Sequence, residues 1–223
     1  MGFGFSMTNV RAAAPKLRNW QTILLLLLFL IAPVLAPVVG VVKPLNIVGL
    51  VIIFLLFVGS ILLVPADELS AFYWFTLWVF LFGFLLNIWY ELLHSVFYTH
   101  FTEPGYTYLE LVTMLVESAI ADGFISLNLL FAATVFRRGK WDWASSRNWS
   151  WKNVLFVVVV ALGMQIVGET VALHTGEWAY NAAMPLIPGL RVGLTPALQM
   201  PLLILPTFWL AQRVASSPTE ENS

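Results

Sequence analysis

Asn87, Glu91, His94 and Tyr98 recur at spacings of four, three and four inside an otherwise apolar stretch. At 3.6 residues per turn those intervals place all four on one helix face. An amide, a carboxyl, an imidazole and a phenol on one face are groups suited to proton transfer. Glu91 and His94 also form an E-x-x-H pair, the ligand spacing of helical di-metal carboxylate proteins. A divalent metal is therefore a second expectation. The plainer alternative is a buried Glu–His hydrogen bond that ties helices together.

Two more apolar stretches carry similar groups. In one, Glu110, Thr113 and Glu117 share a face, and Ser118, Asp122 and Ser126 share an adjoining one. Gly123 beside Asp122 also suits close helix packing. In the other, Gln165 and Glu169 lie one turn apart, followed by His174 and Glu177. The aromatic pair Trp178 and Tyr180 comes next, then a Pro- and Gly-rich segment with Arg191, then Gln199 near the start of the last apolar run. Carboxyls in such stretches are costly unless paired, protonated or used. Arg191 and Lys43 are the only cations expected on their side of the membrane, so the acids should have raised pKa values or share protons with the histidines. The spacings match no closed zinc site. Glu91, His94, Glu117 and Glu169 are the expected catalytic groups. Asn87, Tyr98, Asp122, His174, Glu177, Trp178, Tyr180, Arg191 and Gln199 are expected to bind substrate. The plainer roles are an interfacial aromatic pair and a solvated Arg191.

Such groups need elements to hold them, and the composition says which. The 223 residues are 60% hydrophobic and 10% charged, with a mean hydropathy of +0.85. Soluble domains have roughly a quarter of their residues charged. Long charge-free runs make this an all-α, polytopic integral membrane bundle. Six spans are expected, over 22–42, 47–64, 71–98, 108–136, 153–174 and 195–215. Residues 1–21 and 216–223 are expected as polar tails flanking one domain. The first run is too long for a signal-peptide core, so it reads as an uncleaved anchor. The absence of cysteine excludes disulfides and thiol chemistry. No basic patch of nucleic-acid type is present.

With six spans and both termini cytoplasmic, nine of the eleven Lys and Arg residues fall inside, as the positive-inside rule requires. The tryptophans of the loop 137–152 are then expected to lie flat at the inner headgroups. Under this orientation Glu91, His94 and Glu169 reach the outer half of the bilayer. Thr195 is expected as the N-cap of the last helix, with Pro196 at its first position.

The segments N-I-W-Y-E-L-L-H-S-V-F-Y at 87–98 and G-E-W-A-Y-N-A-A-M-P-L-I-P-G-L-R-V-G-L-T-P-A-L-Q at 176–199 resemble an uncharacterised family of small bacterial polytopic membrane proteins. That resemblance implies a common fold over the last four helices and no particular activity. Trp178, Tyr180 and Pro196 are also locally similar to the membrane-type lycopene cyclase domain, which acts on carotenoid chains. There an acidic residue follows the proline, whereas this chain has Gln199. The expectation is a cell-membrane enzyme, bacterial inner membrane being the natural setting. It would act on a lipid or isoprenoid by acid–base or metal-assisted chemistry. A proton-coupled transporter and a non-catalytic scaffold are the alternatives.

Overall fold

The computed structural model describes residues 44–102, 104–144 and 149–215, with side chains from residue 51 onwards. The helix expected over 22–42 and both tails lie outside the described residues. The rest is helical: α1 (Pro44–Leu63), α2 (Leu69–His94), the short α3 (Thr99–Thr102), α4 (Tyr108–Phe136), α5 (Trp151–Thr175) and α6 (Leu194–Ala215). No strand occurs among the described residues. Four helical segments, 69–97, 108–136, 151–175 and 194–215, are long and apolar enough to cross a membrane.

The helices form a row. α1 packs on α4, α4 on α2, α2 on α6, and α6 on α5. Small residues set the closest crossing. A Cβ on Gly83 of α2 would come within 2.7 Å of the Ser126 hydroxyl, and a Cβ on Gly123 of α4 within 3.0 Å of the Phe80 ring. Missing side chains let the two backbones approach, one turn from Asn87 and beside Asp122. α5 is held along one stripe, Val157, Ala161, Gln165 and Glu169, at strict four-residue intervals. Its other faces are largely open.

The end of the bundle opposite Glu91 is closed by aromatic packing. Trp141 is fully buried against Phe72 and Phe75, at ring distances of 5.6 and 5.7 Å. Trp143 packs edge-on against Phe208 at 5.2 Å. These two tryptophans are therefore core residues and not the headgroup anchors that their loop suggested. For Trp141 the reason is that its N–H finds an acceptor, donating to half-buried Glu68 Oε2 at 2.8 Å. Trp151 keeps the exposed position expected of an anchor.

Gly139 fixes this end. Its φ is +84°, and a Cβ there would lie 2.0 Å from the Leu63 carbonyl oxygen. Left-handed backbone alone costs other residues about 1–2 kcal/mol, and an overpacked contact adds about 1–3 kcal/mol. Gly139→Ala should destabilise the bundle by more than about 2 kcal/mol, measured by unfolding in mixed detergent. A wild-type unfolding midpoint would contradict this.

α6 begins at Leu194, two residues before Pro196, the expected first position. Thr195 does not cap it, because its hydroxyl turns to the Met184 sulfur at 3.4 Å. The Gly193 carbonyl instead accepts from Ala197 N at 3.2 Å.

Candidate functional site

Gln199 is the hub. Its Nε2 lies 3.0 Å from Asn87 Oδ1, 3.0 Å from Glu91 Oε1 and 2.7 Å from Asp122 Oδ2. An amide nitrogen has two hydrogens, so three acceptors converge on two donors. Asn87 is fixed in turn by donating Nδ2–H to the Gly83 carbonyl at 2.7 Å. Asn87, Asp122 and Gln199 are buried, at 0%, 7% and 2% exposure. Three helices, α2, α4 and α6, thus meet at one polar point.

Glu91 and Asp122 are thereby brought to one point, since both accept from the same Gln199 nitrogen. An ionised carboxylate has acceptors only, and two carboxyls brought this close in a buried setting favour sharing a proton over ionising together. His94 extends the chain. Its Nδ1 faces the Tyr90 carbonyl at 2.8 Å, which assigns the hydrogen to that nitrogen. Nε2 then faces Glu91 Oε2 at 3.7 Å, longer than a hydrogen bond.

A second centre forms around Glu169 of α5. Its Oε2 accepts from Trp178 Nε1 at 3.2 Å and from the Tyr180 hydroxyl. Tyr180 OH in turn accepts from Gly193 N at 3.1 Å. Burial, with the hydrogen bond and charge of Glu169, raises the Tyr180 pKa above the usual phenol value. Gln165 lies buried one turn deeper on the same face.

Tyr98 joins the centres. It is buried, its ring 5.4 Å from His94 and 5.5 Å from Tyr180. Burial raises its pKa most, followed by the charges of Glu169 and Glu91 and smaller contributions from Tyr180 and Asp122. Both carboxyl centres therefore sit within electrostatic reach of one phenol. Among the described residues no Lys or Arg forms an ion pair with them.

A roof holds the arrangement in place. Gly176, with φ 69°, ends α5, and the chain then pairs with the segment 96–99 that follows α2. Thr99 N donates to Ala179 O at 3.0 Å, and Asn181 N to Phe97 O at 2.9 Å. The Asn181 side chain adds a bond to Val96 O at 2.7 Å. Farther on, Ile187 N donates to Val192 O at 2.8 Å and Leu194 N to Pro185 O at 2.7 Å. The apolar run 184–189 is thus part of a folded hairpin, with Met184, Pro185 and Ile187 bonded within the chain.

Of the groups singled out from sequence, the structure brings together Asn87, Glu91, His94, Tyr98, Asp122, Glu169, Trp178, Tyr180 and Gln199. It does not bring in the others. Glu117 is exposed on the opposite side of α4 from buried Asp122. Glu110 is a capping-box residue, accepting from Thr107 N at 2.7 Å. His174 is exposed, its Nδ1 on the Thr170 carbonyl. Glu177 is half-buried, and Arg191 is exposed with a φ of 57°. Among the described residues no three His, Asp or Glu side chains are arranged to hold a metal ion.

His100 carries no signal in the sequence, because a helix as short as α3 has no periodicity to mark it. It is packed among the rings of Phe101, Tyr98 and Tyr106 at 4.6, 5.7 and 5.9 Å. Burial lowers its pKa below the ordinary 6.5. The unfolded chain then binds a proton more readily than the folded one, so stability falls as the pH drops below about 6.5. His100→Asn should flatten that acid limb in a melting-temperature series. An unchanged limb would assign the acid sensitivity elsewhere.

No family model, no curated protein and no solved structure matches this chain.

Proposed function

We propose that this is a multi-pass membrane enzyme that moves protons on a lipid or isoprenoid substrate. Six spans and cytoplasmic termini, supported by the Lys and Arg asymmetry, put the cluster in the outer half of the cell membrane. One observation carries the reading: Glu91 and Asp122 meet at the Gln199 amide, with no ion-paired cation among the described residues. Helices that only need joining can use Asn and Gln; buried carboxyls are a far costlier choice. A carboxyl pair that holds one proton in an apolar setting can give it to an alkene or alcohol, or take one back. Glu169 would be the complementary group, its charge spread over the Trp178 and Tyr180 donors. Tyr98 would carry the proton linkage between the two. The open faces of α5 suit entry from the lipid side.

A second reading has its own support. Asp122, Glu91 and Glu169 each find partners within the protein, which is also how a purely structural clamp between helices would look. The two readings separate in cells. Lipid profiles should differ between cells making the wild-type protein and cells making Glu91→Gln, with the variant folded and equally abundant. An unchanged profile and lipid turnover leave the clamp.

A further inference from the structure

At the end of the bundle remote from Glu91, a crevice of about 360 Å³ opens between the end of α4 and the start of α5. Phe136, Arg137, Trp143, Lys152, Asn153 and Phe156 line it. Phe136 and Phe156 stack there at 5.2 Å with a 16° interplanar angle, and Phe136 is 74% exposed. Arg137 is held in place by donating Nη1–H to Asn153 Oδ1 at 2.9 Å. The Lys152 ammonium lies 5.8 Å from the Trp151 ring centre. Neither cation forms an ion pair with a carboxylate among the described residues.

We infer that this crevice binds one anionic phospholipid. Its phosphate would sit between Arg137 and Lys152, and an acyl chain would lie along Phe136 and Phe156. Two unneutralised cations attract an anion, and basic hollows between membrane helices suit acidic headgroups. The first turn of α5 adds to the attraction. Ser150 accepts from Asn153 N, but a helix start has further unpaired N–H groups and the positive end of the helix dipole. The indole N–H of Trp143, buried and without a hydrogen-bond partner, is one more donor in the lining. The exposed aromatic wall distinguishes a lipid from a free phosphate, because only a lipid covers both the charges and the rings.

The test uses the full chain in neutral detergent and native mass spectrometry of retained dioleoyl phosphatidylglycerol against dioleoyl phosphatidylcholine. The anionic lipid should be retained at least about tenfold better, and the Arg137→Gln/Lys152→Gln double variant should lose about tenfold of that retention. Arg138→Gln/Lys140→Gln removes the same charge from exposed neighbours outside the crevice and should change retention less than about twofold. If the first double variant does not fold, Lys152→Gln alone, at an exposed position, should still lower retention several-fold. Equal losses in the two double variants, equal retention of the two lipids, or displacement of the lipid by inorganic phosphate would each overturn the proposal.

Discussion

Gln199→Leu is expected to destabilise the folded bundle by about 2–3 kcal/mol. One Nε2 serves Asn87, Glu91 and Asp122 across three helices. Hydrogen bonds between membrane helices average about 0.6 kcal/mol and reach about 1.7. Leucine removes both donors of that nitrogen and leaves buried acceptors facing hydrocarbon, which adds about 1–3 kcal/mol. Gln199→Glu preserves shape but replaces the donor with a third acid. It should be nearly as damaging at neutral pH and should recover in acid, where the added carboxyl is protonated. Unfolding in mixed detergent across pH reads both effects. A leucine variant as stable as the wild type would mean that Gln199 holds nothing together.

The second large effect concerns Glu169. Glu169→Gln keeps a polar group beside Trp178 and Tyr180 but removes the proton-accepting charge. Turnover of the lipid substrate should fall by about 10²–10⁴-fold, the usual contribution of a positioned acid or base, with melting changed by only a few degrees. Tyr180→Phe removes one donor to Glu169 and the acceptor for Gly193 N. It should cost turnover about tenfold and loosen the roof. The loosening is visible as faster amide exchange at Gly193. Stability has a signature too. Since the folded protein raises the Tyr180 pKa, the neutral phenol favours folding, and that contribution is lost as the pH rises above about 10. Tyr180→Phe should therefore soften the alkaline limb. Full turnover in Glu169→Gln would remove this residue from the chemistry.

How legible the molecule was depended on the kind of signal. The face formed by Asn87, Glu91 and His94 follows from helix periodicity, because a regular helix leaves no other placement. Glu117 and Asp122 show where periodicity stops. They lie on different faces of an apolar helix, and apolar residues all round give no inward side. What turns Asp122 inward is the pair Gly83 and Gly123, whose missing side chains let α2 and α4 approach. Small residues are a readable mark of a contact face, but Gly123 alone does not say which helix it faces; that needs its counterpart Gly83. Gln199 was placed near the cluster from its position one turn into α6, but its role as the shared donor needed coordinates. The roof was unreadable for a different reason. Its bonds join Phe97 to Asn181 and Thr99 to Ala179, pairings between distant segments that no local pattern encodes. The burial of Trp141 has the same origin, since it depends on a glutamate far away in the chain.

The central claim is that Glu91 and Asp122 hold one proton between them. Infrared difference spectroscopy at neutral pH, wild type against Asp122→Asn and against Glu91→Gln, addresses it directly. The account predicts a protonated-carboxyl stretch in the wild-type protein that shifts or disappears in both variants. Two carboxylate bands in the wild type, with no protonated carboxyl affected by either substitution, would contradict it.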